Sequence, residues 1–179
     1  MRWIHKHPMG HTILEICCCV GIMSVCMAIG AAHWGHSQRR LSSRAGALEI
    51  ACALRTARAE AITQRVYCAV KLYDGTAFGA GTSFHGYTLY TTSDKQGKSI
   101  EKWLEGPRAL PTRCRFLSGG NQTFVFGPTG NIVSRGINHK TVRVGSTDGL
   151  ETSWHDITVL SATGRVLVKP MKTVNEPPG

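Results

Sequence analysis

Few residues of this 179-residue chain are spaced to do chemistry. Gly81-Thr82-Ser83-Phe84-His85 comes near a nucleophile elbow, which holds a serine on a sharp strand-to-helix turn, but lacks the closing glycine at the required position. His155 and Asp156 are adjacent, and neighbours on a strand point to opposite faces, so they do not form a dyad. Gly79-Ala80-Gly81 has no strand-to-helix context and reads as a loop rather than a dinucleotide fingerprint. His33 and His36 share a helix face at spacing i, i+3, but they read as polar residues at a membrane boundary. No cysteine pair has the spacing of a metal site. The expectation is therefore a protein with no catalytic residue, no cofactor and no metal. The group whose position does carry a chemical consequence is Glu15, a lone acid at the head of an apolar run. A carboxylate in hydrocarbon costs about 2.5–3.5 kcal/mol on insertion scales, so an acid kept there asks for a cationic partner.

The element that positions Glu15 is the apolar run itself. About 22 residues from Ile13 to Trp34, with Glu15 their only charge, suffice for a helix to cross a hydrocarbon core of roughly 30 Å. Trp3 and Trp34 flank the run as interface anchors. The basic leader, residues 1–10, ends in Gly10 and is followed by no small-x-small cleavage site, so it is not an ordinary secretory signal. From Leu41 to Val66 the chain is rich in Ala, Leu, Arg and Glu and free of proline, which extends the helix. Leu48, Cys52, Ala59, Ile62 and Val66 fall near one face, and Ile50, Leu54, Ala57 and Ala61 near a neighbouring one. Together they read as one broad apolar stripe for packing on a sheet, with Arg55, Arg58, Glu60 and Arg65 largely outside it.

Beyond the helix the pattern turns to strands. Val66–Tyr73, Gly86–Thr92, Gln122–Phe126 and Thr141–Val144 read as strands, and Ile157–Leu160 with Arg165–Val168 as a hairpin. Gly127-Pro128-Thr129-Gly130-Asn131 is a strong turn signal. Lys95–Gly106 reads as a polar loop anchored by Trp103 and Leu104, and residues 171–179 as a frayed tail. The expected fold class is α+β, a long amino-terminal helix packed on an antiparallel β-sheet or sandwich domain. Its expected segments are 1–10, a leader; 11–35, the membrane half of the helix; 36–66, the amphipathic half; 67–170, the β-rich domain; and 171–179, the tail.

Lysine and arginine number 21 against 11 acids, a net charge of +10 that lies mostly beyond the leader. Such a surface suits nucleic acid, anionic lipid or an acidic protein, and composition does not choose among them. Of the seven cysteines, Cys17, Cys18, Cys19 and Cys26 lie in the apolar run and Cys52 on the amphipathic half. Cys68 and Cys114 remain in the β domain, where an oxidising compartment would make a disulfide between them possible.

Gly10 followed by His11-Thr12-Ile13-Leu14-Glu15 resembles the type III (prepilin) signal of type IV pilins and pseudopilins, with His11 in place of the usual Phe. The resemblance implies that a prepilin peptidase cuts between Gly10 and His11 and methylates the new amino terminus. Cleavage would leave a cationic amine at His11, which Glu15 of a neighbouring subunit would neutralise as helices stack. A charge pair of that kind sets the axial register of a filament.

Three further stretches resemble the GspH/FimT group of minor pseudopilins: Leu54–Arg65 at the end of the helix, the Phe-x-Phe-x-Pro-x-Gly run from Phe124 to Gly130, and the turn Thr163-Gly164-Arg165. The resemblance covers about residues 10–170. It implies a minor pseudopilin of a type II secretion system, anchored in the bacterial inner membrane with a periplasmic carboxy-terminal domain. Its partners would be other major and minor pseudopilins. A second reading is a DNA-binding minor pilin of a type IV or competence pilus. The DNA-uptake branch implies a basic patch around a Gly-Arg-x-Arg turn; here Gly164-Arg165-Val166-Leu167 lacks the second arginine, and Lys169 and Lys172, with Arg135, Lys140 and Arg143, stand near. DNA is the less favoured partner. A third reading is an anchored binding domain that never polymerises.

Overall fold

A computed structural model describes residues 13–77, 83–133, 139–148, 151–170 and 172–174. Gly10 and His11 lie outside them. The chain divides into two compact units, Met1–Gln38 and Arg39–Gly179. Helix α1 runs over Ile13–Gln64 and contributes to both. Arg65, with φ of 55°, takes the left-handed conformation that ends a helix. In the first unit, Ile13–Gly30 has a mean hydropathy of 2.3 and none of it is buried, so it is long and apolar enough to cross a membrane.

The second unit is α+β. One antiparallel sheet has the order β3-β2-β1-β5, formed by β1 (Tyr67–Ala77), β2 (Ser83–Thr92), β3 (Lys102–Ala109) and β5 (Thr123–Phe126). The other has the order β4-β6-β7-β8, formed by β4 (Arg115–Ser118), β6 (His139–Asp148), β7 (Glu151–Leu160) and β8 (Val166–Val168), with β9 (Lys172–Val174) also on β7. The core joins both sheets to the helix. Ile50, Leu54, Ala57 and Ala61 are fully buried, in one cluster with Cys68, Val70 and Phe124 of the first sheet and Val142, Val144 and Ile157 of the second. Small alanines on this helix face let both sheets approach its backbone. Gly46 extends the effect, because a Cβ there would stand 2.3 Å from Cys114 Sγ. A smaller cluster of Ala69, Tyr90 and Val125 covers the other face of the first sheet, closed by the Tyr90 hydroxyl donating to the Gly97 carbonyl at 2.6 Å.

The turns near the end of the domain meet one another. Gly164, with φ of +63°, lies so close to the Gly130 carbonyl that a Cβ would fall 1.9 Å from that oxygen. Arg58 Nε donates to the same carbonyl at 3.2 Å. The Phe124–Gly130 run, the Thr163–Arg165 turn and the helix end, far apart in sequence, thus converge on one point.

Several expectations are corrected. Leu48, Cys52, Ala59 and Ile62 are exposed rather than core, so the buried stripe is narrower than its composition suggested. Lys102–Gly106 belongs to β3 rather than a loop, because Trp103 pairs with Tyr90 and packs edge-on against its ring, centroids 5.6 Å apart. Residues 172–174 form β9 rather than tail, pairing with Thr152–Trp154. Strand β4 has no clear signal in the sequence, because it is only four residues long and alternates weakly.

Candidate functional site

Two places could carry function, and each is set by the helix. The first is its start, where Glu15 stands in the first turn of α1 among exposed Ile13, Leu14 and Ile16. The second is a groove on the Arg39–Gly179 unit, between α1 and strand β8.

The groove has two adjoining chambers that share Leu48 and Val168. One, of about 610 Å³, is lined by Arg55, Arg58 and Ile62 from the helix and by Arg165 and Leu167 from the strand side. The other, of about 470 Å³, is lined by Arg40, Leu41 and Arg44 from the helix and by His155 and Lys169 opposite. Among the described residues, six cations therefore line the groove and no carboxylate does. Among the described residues, no Asp or Glu lies within ion-pair distance of any of the six. The local sequence makes this face. Arg40, Arg44, Leu48, Arg55 and Ile62 recur every four or seven residues, so they stack along one side of a 3.6-residue helix.

Of the sequence-predicted cations, Arg165 and Lys169 are brought together here, both exposed. Lys172 lies in β9, in register with Trp154. Arg143 and Lys140 go elsewhere. Arg143 Nε donates to Asp156 Oδ1 at 2.9 Å and its guanidinium covers the Trp154 ring. Lys140 Nζ donates to the Thr123 carbonyl at 3.0 Å, and burial lowers its pKa. Arg135 lies outside the described residues. Arg55 and Arg58 lie off the expected apolar stripe with nothing in the local sequence to join them to Arg165, and Arg40 and Arg44 stand outside the expected patch. Their periodic spacing with Leu48 was the available signal.

His155 and Asp156 do face opposite ways. Asp156 meets Arg143, while His155 is buried on the helix side with Nδ1 3.2 Å from the Lys169 carbonyl. A carbonyl only accepts, so Nδ1 carries the proton of that contact. Nε2 is buried and has no hydrogen-bond partner among the described residues. His85 Nδ1, at the end of the segment that approached a nucleophile elbow, is 3.2 Å from Asp74 Oδ1.

The disulfide between Cys68 and Cys114 does not form: both are free, buried thiols. Cys114 Sγ lies against Gly46, whereas Cys68 is close enough to Glu60 to feel its charge. Burial first, then the nearby acids Glu60 and Glu49, pushes the thiols up to about 11 each. Among the described residues no cluster of three or more metal-ligating side chains occurs.

No family model matches the chain, and no curated protein matches it. Among solved structures, the type IV minor pilin FimU of Pseudomonas aeruginosa overlays on it with a TM-score of 0.52 at 19% identity, covering 73% of this chain and 90% of that one. A second crystal form of that pilin gives a TM-score of 0.49 at 19% identity, over 71% and 92%. The fold of this chain, a long helix with antiparallel β-sheets, is thus similar to that of a type IV minor pilin.

Proposed function

We propose that this chain is a minor pseudopilin of a type II secretion system. It is held in the bacterial inner membrane by the start of α1 and joins other pseudopilins near the tip of a short periplasmic filament. The observation that supports this most is the division of labour along one helix. Ile13–Gly30 is apolar and wholly unburied, while Ile50, Leu54, Ala57 and Ala61 are fully buried in the β domain. An apolar stretch left bare by its own chain requires lipid or the helices of neighbours. In this reading prepilin peptidase cuts after Gly10 and methylates His11, and Glu15 neutralises the amine of an adjacent subunit. The work is assembly, and no bond-making step is assigned to any residue.

The test is mass spectrometry of the chain co-expressed with a prepilin peptidase and its partner pseudopilins. The mature chain should begin at an N-methylated His11 and appear in the sheared filament fraction; an uncut leader would exclude filament entry. Glu15→Ala should lower incorporation without unfolding the β domain, and unchanged incorporation would sink the charge pairing.

The gathering of Arg165 and Lys169 with four helix arginines favours one second reading, a minor pilin that binds DNA for uptake. Duplex affinity that falls steeply with salt, and falls again in the Arg165→Ala, Lys169→Ala variant, would move the assignment there.

A further inference from the structure

The groove has a strand edge with no hydrogen-bond partner among the described residues, as well as charge. Thr158 pairs with Leu167 across β7 and β8. Leu160 N donates to the Arg165 carbonyl at 3.0 Å, and Lys169 N donates to the Asp156 carbonyl at 2.9 Å. Arg165, Leu167 and Lys169 therefore turn their backbone groups toward β7. In an antiparallel ladder the alternate residues turn theirs the other way. Val166 and Val168 thus direct N–H and C=O to the outer edge, where no described residue bonds them. That edge faces the groove, which Val166 and Val168 line.

We propose that the groove between α1 and β8 docks an extended acidic segment of another protein, which adds to the edge of β8 as a further strand. Its backbone supplies the donors and acceptors that Val166 and Val168 lack, the usual chemistry of strand addition. Its carboxylates meet Arg40, Arg44, Arg55 and Arg165, which are cationic and have no carboxylate partner among the described residues. Its apolar side chains, alternating with the acids, cover Leu48, 49% exposed, and Ile62, 44% exposed. A donor from the same segment satisfies His155 Nε2, which is buried and lines the chamber at the Arg40 end.

A peptide fits these groups better than a nucleic acid duplex does. Phosphates only accept hydrogen bonds, so they leave the Val166 and Val168 carbonyls and His155 Nε2 unpaired. A rod of phosphates also reaches the rim of a concave groove and leaves Leu48 and Ile62 in water. The inference is independent of the secretion reading: it concerns only the Arg39–Gly179 unit and stands whether or not the chain enters a filament.

The experiment titrates the full chain in detergent micelles with a fluorescent peptide of about eight residues alternating Glu and Val, at about 0.15 M salt. The comparison probes are the Lys–Val peptide, the Glu–Val peptide N-methylated at alternate residues, and a DNA duplex. Saturable binding of the Glu–Val peptide, weakened about tenfold or more by N-methylation and by R55A/R165A, supports the proposal. Leu48→Glu sets a like charge on an exposed position without touching the core, and should weaken binding as much. Three results would overturn the proposal: no binding of the Glu–Val peptide, equal binding of the methylated or Lys–Val probe, or a duplex that binds more tightly and displaces the peptide.

Discussion

Leu54 and Leu48 stand on the same helix, six residues apart, and the fold uses them in opposite ways. Leu54 is 0% exposed, whereas Leu48 is 49% exposed and lines the groove. Replacing Leu54 with Ala should cost the domain about 3–4 kcal/mol. The general range for such a deletion is about 2–5 kcal/mol, set by how far the surroundings collapse into the void. Here collapse is limited, because Ala51, Ala53 and Ala57 beside it are too short to swing in. The facing strands are held by ladder hydrogen bonds. Leu48→Ala gives up only part of a leucine's burial, about 1 kcal/mol or less. The fragment Arg39–Gly179 is the natural object for the assay, since every residue of the main core lies within it. For a domain of this size about 1 kcal/mol moves Tm by roughly 3–4 °C, so Leu54→Ala should melt about 10 °C lower and Leu48→Ala no more than about 4 °C lower. Thermal circular dichroism, checked by urea midpoints at unchanged m, would measure both. Equal losses, or a larger loss for Leu48→Ala, would refute the assignment of the buried helix face, and with it the open groove.

Three further outcomes follow from the cysteines. Gly46→Ala would set a methyl 2.3 Å from Cys114 Sγ and should cost about 1–3 kcal/mol of overpacking. Cys114→Ala in the same chain should relieve about 1 kcal/mol or more of that, read from a double-mutant cycle of urea midpoints; simple additivity would refute the contact. Cys68 and Cys114, both raised to about 11 from an ordinary 9.0, hold their protons more tightly folded than unfolded. Their contribution is full below about pH 9 and is lost as pH rises toward 11. Urea midpoints through this window should fall more steeply for the wild type than for the C68A/C114A variant; parallel curves would count against the burial. At pH 8, a thiol reagent should modify the exposed Cys52 and spare the other two in the folded fragment.

What the sequence settled by itself is what depends on local chemistry. The uninterrupted apolar run, the proline-free continuation to Gln64 and the alternation in Gln122–Phe126 each make one local conformation cheapest, so the helix and most strands were legible. Glu15 was legible because a carboxylate heading an apolar run is conspicuous whatever the fold. The tertiary structure decided what depends on distance across the chain. In one dimension the apolar positions of α1 read as one broad stripe. Only the seating of both sheets on the alanine-lined side determined that Ile50 and Leu54 are buried while Leu48 and Ile62 line a groove. The same seating left Cys68 and Cys114 as two free, buried thiols, and turned Arg143 and Lys140 to partners of their own. It also set Arg165 and Lys169, from the end of the chain, opposite helix arginines more than a hundred residues earlier. Spacing predicts which residues share a face of one element, but which faces meet depends on how the elements pack together.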